Sequence, residues 1–260
     1  MEPSRRILRR MQYLRDQDGI MNRYLREGTN WESHLHKTKA FITSSFKDQS
    51  LDSIAILGSG WLLDVPLEEL NRRFKKIYLV DIVHPPQVKK RTEAMERVEL
   101  VEADLTGGAI EQVWREVKQR GSRRGECLTE HLISNLKLES PLHGINPDAI
   151  ASVNLLNQLD ILLVEFMEKH GYFKQESPDA FRKLIQTFHL EWITRTPGSL
   201  VTDTVEVNRD KNGNESTRPL LYTGLPEGAR SEQWKWRFDS RGTYRHNTLT
   251  HMEVRAVEWS

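Results

Sequence analysis

Ser53-Ile54-Ala55-Ile56-Leu57-Gly58-Ser59-Gly60 is the stretch on which the fold turns. A short apolar run ended by a glycine pair reads as a buried strand entering a tight turn, because glycine reaches backbone conformations that other residues avoid. Downstream, Leu67, Leu70 and Phe74 sit in a helical stretch, and Ile77-Tyr78-Leu79-Val80 makes a second strand stopped by Asp81. Pro85 and Pro86 open a helical segment to about Arg97, Val98 to Val101 is a third strand, and Ile110, Val113, Trp114 and Val117 mark a helix ending near Gly121. Parallel strands need long, usually helical crossovers, so this alternation predicts an α/β fold: a mostly parallel sheet with helices on both faces.

The second half continues the pattern and then changes it. Residues 122 to 147 read as an exposed loop with a short element over Leu132 to Leu138, followed by a fourth strand at Ile150 to Leu155. Leu159, Leu162, Leu163, Phe166 and Met167 fall on one helical face, with Gly171 as the stop. Ser177-Pro178 opens another helix, whose buried face is Phe181, Leu184, Ile185 and Phe188. Leu200 to Val207 is a fifth strand, and Asn212-Gly213 marks a hairpin turn before a strand at Leu220 to Tyr222. Trp234, Trp236 and Phe238 alternate with Lys235 and Arg237, and Met252, Val254 and Ala256 with Glu253 and Arg255, which predicts an antiparallel terminal pair. A half-buried strand accounts for the alternating aromatics without making them a stacking platform for bases.

Upstream of the first strand, residues 1 to 50 read as a helical extension of a main domain over residues 51 to 260. Thr29 and Glu32 have capping-box spacing, and Trp31, Leu35, Thr38 and Ile42 then share one face that needs a partner. The early arginines read as a solvated face.

Composition narrows the function classes. Lys plus Arg number 38 against 37 Asp plus Glu, a near-balance that argues against a general nucleic-acid binder. The single cysteine, Cys127, makes no internal disulfide, and neither signal-peptide nor membrane-span patterns are present, so a cytoplasmic protein is expected. The histidines show no metal-ligand spacing.

The chemistry concentrates at strand ends. Gly58-Ser59-Gly60 follows a strand and precedes a helix, where backbone amides could approach a ligand near the positive helix end. Asp81 lies 23 residues after Gly58 at the end of the second strand, where a carboxylate can accept both ribose hydroxyl hydrogen bonds. Asp104, after the third strand, is placed to read an adenine amino group, and capping or loop bonding is its alternative role. Together these indicate an adenosine-type ligand. Leu63 stands where a dinucleotide fingerprint requires glycine, which disfavours a nicotinamide enzyme.

In Leu57-Gly58-Ser59-Gly60, Tyr78-Leu79-Val80-Asp81, Glu102-Ala103-Asp104 and the run Ser152 to Leu159, with the terminal strand pair, residues 50 to 260 resemble the class I S-adenosylmethionine-dependent methyltransferases. The resemblance implies a Rossmann-like sheet whose last strand is antiparallel, S-adenosyl-L-methionine as cofactor and a small or medium-sized acceptor. It assigns cofactor contacts to Gly58, Ser59, Gly60, Asp81, Ile82, Asp104, Leu105 and Asn154, with Asn154 also beside the transferred methyl. Ile56 stands where the family usually has an acid and Leu62 where it often has a third glycine; Asp64 could substitute for the acid or equally cap the next helix. His34, in the extension, is a further candidate contact, and His84 a residue bordering the ribose. The extension over residues 1 to 50 is expected to close over the ligand edge as a lid, with residues 29 to 46 protected when cofactor binds. Methyl transfer leans on positioning more than on a strong acid or base, so the lack of a catalytic triad is no obstacle. A non-catalytic cofactor-binding module, or transfer of another group from the same cofactor, stays open.

Overall fold

The computed structural model describes residues 3–46, 50–120, 128–174 and 176–260. Three helices lead in: α1 (Arg5–Arg10), α2 (Tyr13–Glu27) and α3 (Thr29–Ser44). Then come β1 (Ser53–Leu57), α4 (Leu67–Arg73), β2 (Lys76–Asp81), α5 (Pro86–Thr92), β3 (Val98–Glu102), α6 (Ala109–Arg120), α7 (Leu128–Asn135) and β4 (Ala149–Val153). A single 3₁₀ turn at Leu156–Gln158 precedes α8 (Ile161–Lys169) and α9 (Asp179–Ile193). The chain ends in β5 (Gly198–Arg209), β6 (Glu215–Pro219), β7 (Arg230–Asp239) and β8 (Leu249–Trp259).

The strands lie in the order β3-β2-β1-β4-β5-β8-β7, with β6 paired to β5 at the side. The pairs β1–β2, β2–β3, β1–β4 and β4–β5 are parallel, while β8 runs antiparallel to both β5 and β7. This is the expected Rossmann-like sheet, mostly parallel and with its last strand reversed. Helices cover both faces, so β1 is apolar throughout: Ala55 and Leu57 pack with α6, α8 and α9, while Ile54 and Ile56 pack on the other face with Leu67, Leu70 and Phe74.

Two expected strands are corrected. The fourth ends at Val153: Asn154 turns into the left-handed region at φ +47, its N–H making a last bond to Val201 O of β5 at 2.8 Å. Leu220 to Tyr222 is not a strand; the hairpin partner of β5 is Glu215–Pro219, which reaches its register through the Asp210-to-Asn214 turn. The element expected near Leu132 is α7, and Cys127 lies outside the described residues.

The N-terminal helices share the core of the main domain. Trp31, Thr38 and Ile42 of α3 are buried as expected, Leu35 partly so, and Trp31 and Phe41 join Val201, Trp234, Trp236 and Phe238 in one aromatic cluster. The Trp31 indole N–H donates to Phe238 O at 3.0 Å, pinning α3 to β7. Burying side chains of that size contributes roughly 1.5–3 kcal/mol each, so α3 is a fixed wall. The segment that roofs the ligand edge is α2.

Candidate active site

The carboxyl ends of β1 to β4 open into one cleft of about 520 Å³. It lies where the strand order departs on either side of β1, the place at which open α/β sheets take their ligands. Gly58, Ser59, Gly60, Asp64, Asp81, Ile82, Asp104, Leu105, Asn154 and His34 all line it. His84 does not: it is buried with its ring against Val101 O, behind the cleft.

Gly58 is required by geometry. Its φ is +78, and a Cβ there would stand 2.8 Å from Val153 O and 3.0 Å from the Leu155 Cβ. The expected role of the turn's amides needs correction. Gly58 and Ser59 donate their N–H groups to Val80 O at 2.9 and 3.2 Å, and Gly60 donates to Asp81 Oδ2 at 2.8 Å. The turn therefore offers a floor without side chains rather than a nest of free donors. No helix end sits behind it either, since α4 begins only at Leu67. Leu62, at φ +58, adopts the left-handed conformation that a third glycine would take without strain.

The carboxylates differ in how far they are committed. Asp81 accepts from Gly60 N–H and, at 2.7 Å, from Ile82 N–H, and burial pushes its pKa up. A carboxylate has about four lone-pair sites, so acceptor capacity remains. Asp104 is more fully used: Oδ1 accepts from the amide and hydroxyl of Thr106 and Oδ2 from Ile110 N–H at the start of α6, which is the loop-bonding role. Asp64 does not cap α4, whose N-cap is Pro66 with no side-chain bond. Its carboxyl instead lies 2.6 Å from the Asn154 amide.

A proton inventory fixes the centre of the cleft. Trp234 Nε1, which can only donate, lies 3.1 Å from His34 Nδ1, and burial holds the His34 pKa down to about 3, so the ring is neutral with its proton on Nε2. That N–H faces the Asn154 amide at 3.1 Å and needs an oxygen there. With the amide oxygen turned toward His34, the same oxygen meets Asp64 Oδ2, which must then be protonated and donate. Burial raises the Asp64 pKa, in accord with this. The Asn154 NH₂ then takes the place of the amide atom that has no partner within the protein.

The far wall went unforeseen, and the roof lies in α2, within the extension expected to act as a lid. Tyr13, Gln17, Ile20 and Arg23 of α2 line the cleft. Trp61 Nε1, in the glycine loop, donates to Gln17 O at 2.8 Å, and Gln17 Nε2 donates to Val83 O at 2.7 Å, so two hydrogen bonds latch α2 over the edge. Opposite, Trp31, Trp236, Phe238 and Tyr244 form an aromatic wall, with Trp236 stacked on His34 at 4.0 Å. Asp203 and Glu206 of β5 both reach the cleft although three residues apart on a strand, where opposite faces would be normal. A bulge between Asp203 and Val205 inserts the extra residue that brings them to one side. Among the described residues no group of His, Cys, Asp or Glu could hold a metal ion, and no helix is long and apolar enough to cross a membrane.

No family model and no characterised protein matches the sequence. Solved structures do resemble it. One is the Burkholderia thailandensis 1,6-didemethyltoxoflavin-N1-methyltransferase with bound S-adenosylhomocysteine, 12% identical with a TM-score of 0.41, covering 94% of this chain and 87% of that one. Another is the N-methyltransferase NodS of Bradyrhizobium japonicum WM9, 11% identical with a TM-score of 0.40, covering 90% and 99%. A third is DhpI in complex with S-adenosylhomocysteine, 8% identical with a TM-score of 0.40, covering 98% and 99%. The fold assignment rests on this chain's own strand order.

Proposed function

We propose that this protein is an S-adenosylmethionine-dependent methyltransferase acting on a small or medium-sized molecule. The observation that carries this reading is the convergence of four strand ends on one cleft rich in carboxyl groups. Asp64, Asp81 and Asp104 face a common space, and a cofactor bearing sulfonium and ammonium charges suits such a lining. Asp81, with lone pairs to spare, would accept from the ribose hydroxyls. The orphaned amide atom of Asn154, without a partner among the described residues, is a group a ligand would satisfy.

When bound, the cofactor supplies an electrophilic methyl group. The protein's own contribution is placement: Gly58 lets the β1 and β4 loops close together, His34 and Asp64 hold Asn154, and α2 excludes water from the edge. The alternative, a non-catalytic binding module, draws support from Ile56 and from the internally bonded amides of the glycine turn. Calorimetry with S-adenosylmethionine and S-adenosylhomocysteine is the test. Micromolar binding of both is expected; failure of either to bind would refute the reading. Methyl transfer from labelled cofactor to a metabolite mixture then separates enzyme from module.

A further inference from the structure

Asp203 is 3% exposed, and its Oδ1 has no hydrogen-bond partner among the described residues. Its other oxygen receives only a long 3.5 Å contact from Asn157 Nδ2. Buried acids elsewhere around the cleft are treated differently. Glu206, three residues along the same strand, is clamped by Arg218, Arg245 and Asn208; Asp160 is held by Arg182 and Gln186. No cation among the described residues pairs with Asp203. Leaving a buried carboxyl oxygen unsatisfied is costly, and a bulge in β5 aims this one into the cleft, so the feature is built and waits for a donor.

The surroundings specify the donor. The aromatic wall, built from α3, β7 and Tyr244, has two of its rings, Phe238 and Tyr244, already covered by the Arg23 guanidinium at 4.6 and 4.9 Å. Trp31 and Trp236, whose centroids are 4.7 Å apart edge to face, have no such cation over them among the described residues. A buried carboxylate that lines one cleft with two indole rings is the chemistry that recognises an ammonium group. A neutral hydroxyl would give up the ion pair, and an anion would be repelled.

We propose that this half of the cleft receives the methyl acceptor as an amine, its ammonium N–H donating to Asp203 Oδ1 against Trp31 and Trp236. The proposal deepens the methyltransferase reading and rests on it. Asp203 then has a second task. One N–H proton of the ammonium passes to Oδ1, the nitrogen keeps the bonding pair as its lone pair, and a neutral amine nucleophile stands beside a neutral carboxylic acid. The proton returns to water once the product leaves. A carboxyl whose pKa burial raises to about 7 takes this proton at less cost than an ordinary carboxylate would, and releases it to water readily near neutral pH.

The test is ligand-observed NMR on the protein saturated with S-adenosylhomocysteine, using aromatic primary and secondary amine fragments, each with its alcohol and carboxylic acid counterpart. Phenethylamine, 2-phenylethanol and phenylacetic acid form one such set. Amines should bind in preference to their counterparts, and Asp203→Asn should weaken them roughly ten- to a hundredfold, the size of a charge-assisted hydrogen bond, with S-adenosylhomocysteine affinity unchanged. Alcohols binding the wild-type protein as well as the amines would overturn the proposal without need of a variant. A loss of S-adenosylhomocysteine affinity in Asp203→Asn would overturn it too, by giving Asp203 to the cofactor's own ammonium. If S-adenosylhomocysteine fails to bind the wild type, the underlying reading has failed instead.

Discussion

Replacing Asp203 by Asn should make the protein more stable, by an amount that depends on pH. Burial pushes the Asp203 pKa from its ordinary 3.8 up to about 7. Its remaining neighbours do little to offset this: Asn157 donates only weakly, His34 is neutral, and Arg218 and Arg245 are engaged by Glu206. The unfolded chain releases this proton near pH 3.8 and the folded chain only near 7, so between those values the folded state holds more protons and stability falls as pH rises. A shift of about three units corresponds to a penalty of about 4 kcal/mol once pH exceeds 7, with most of it, about 2–3 kcal/mol, accruing between pH 5 and 7.5. Asparagine does not titrate. Urea unfolding followed by tryptophan fluorescence at pH 5 and 7.5 isolates this contribution, because any pH-independent effect of the substitution cancels in the difference. Wild type should lose about 2–3 kcal/mol more than the variant across that interval. Parallel losses would show that Asp203 titrates as an ordinary carboxylate and would remove the basis for its role as a proton acceptor.

Three further outcomes follow from the geometry of the cleft. Asp81→Ala should weaken S-adenosylhomocysteine binding by roughly 1–3 kcal/mol in calorimetry, and should also lower the melting temperature because Gly60 and Ile82 N–H lose their acceptor; an unchanged Kd in the folded variant would clear Asp81 of ligand contact. Gly58→Ala should destabilise the fold by roughly 1–3 kcal/mol or more, given its φ of +78 and the 2.8 Å approach to Val153 O, and an unaltered melting temperature would contradict that packing. Trp61→Phe removes the bond to Gln17 O at a cost of roughly 0.5–1.5 kcal/mol. Hydrogen exchange across residues 13 to 27 should then speed up by several-fold while the sheet is unaffected; identical exchange would mean that α2 is held by packing alone.

The sheet was legible because its grammar is local. Apolar runs such as Ile54 to Leu57, bounded by glycine or aspartate, and the period-2 alternation around Trp236 are enforced by burial on both faces of β1 and one face of β7. The ligand edge followed from topology, since strand ends must gather on one side of a parallel sheet, and Gly58, Asp81 and Asn154 were found at those ends for that reason. What each residue does there was less legible. The turn amides looked available because a sequence cannot show that Val80 O and Asp81 already accept them. Asp64 looked like a cap because capping is a one-turn motif, whereas its partner Asn154 lies 90 residues away.

Asp203 was missed for a different physical reason. An acid inside Leu200-Val201-Thr202-Asp203-Thr204-Val205 was a signal, since a charged group in a central strand needs an explanation. Strict alternation nevertheless puts Asp203 and Glu206 on opposite faces, and only the bulge brings them to the same one. A bulge is set by how β8 pairs with β5, a contact some 50 residues away, so no period counted along β5 could reveal it. The extension over residues 1 to 50 was expected to act as a lid as a whole, and its sequence did not divide the roles of its helices. Trp31, Thr38 and Ile42 gave α3 the apolar face, and that face is what fixes α3 against β7 and the rest of the core. The preceding α2 is partly polar along its length, with Gln17 and Arg23 turned into the cleft. A roof that must admit a charged ligand cannot be sealed by a wide apolar stripe, and the polarity that hid α2 from a search for core helices is the property that suits it to cover this cleft.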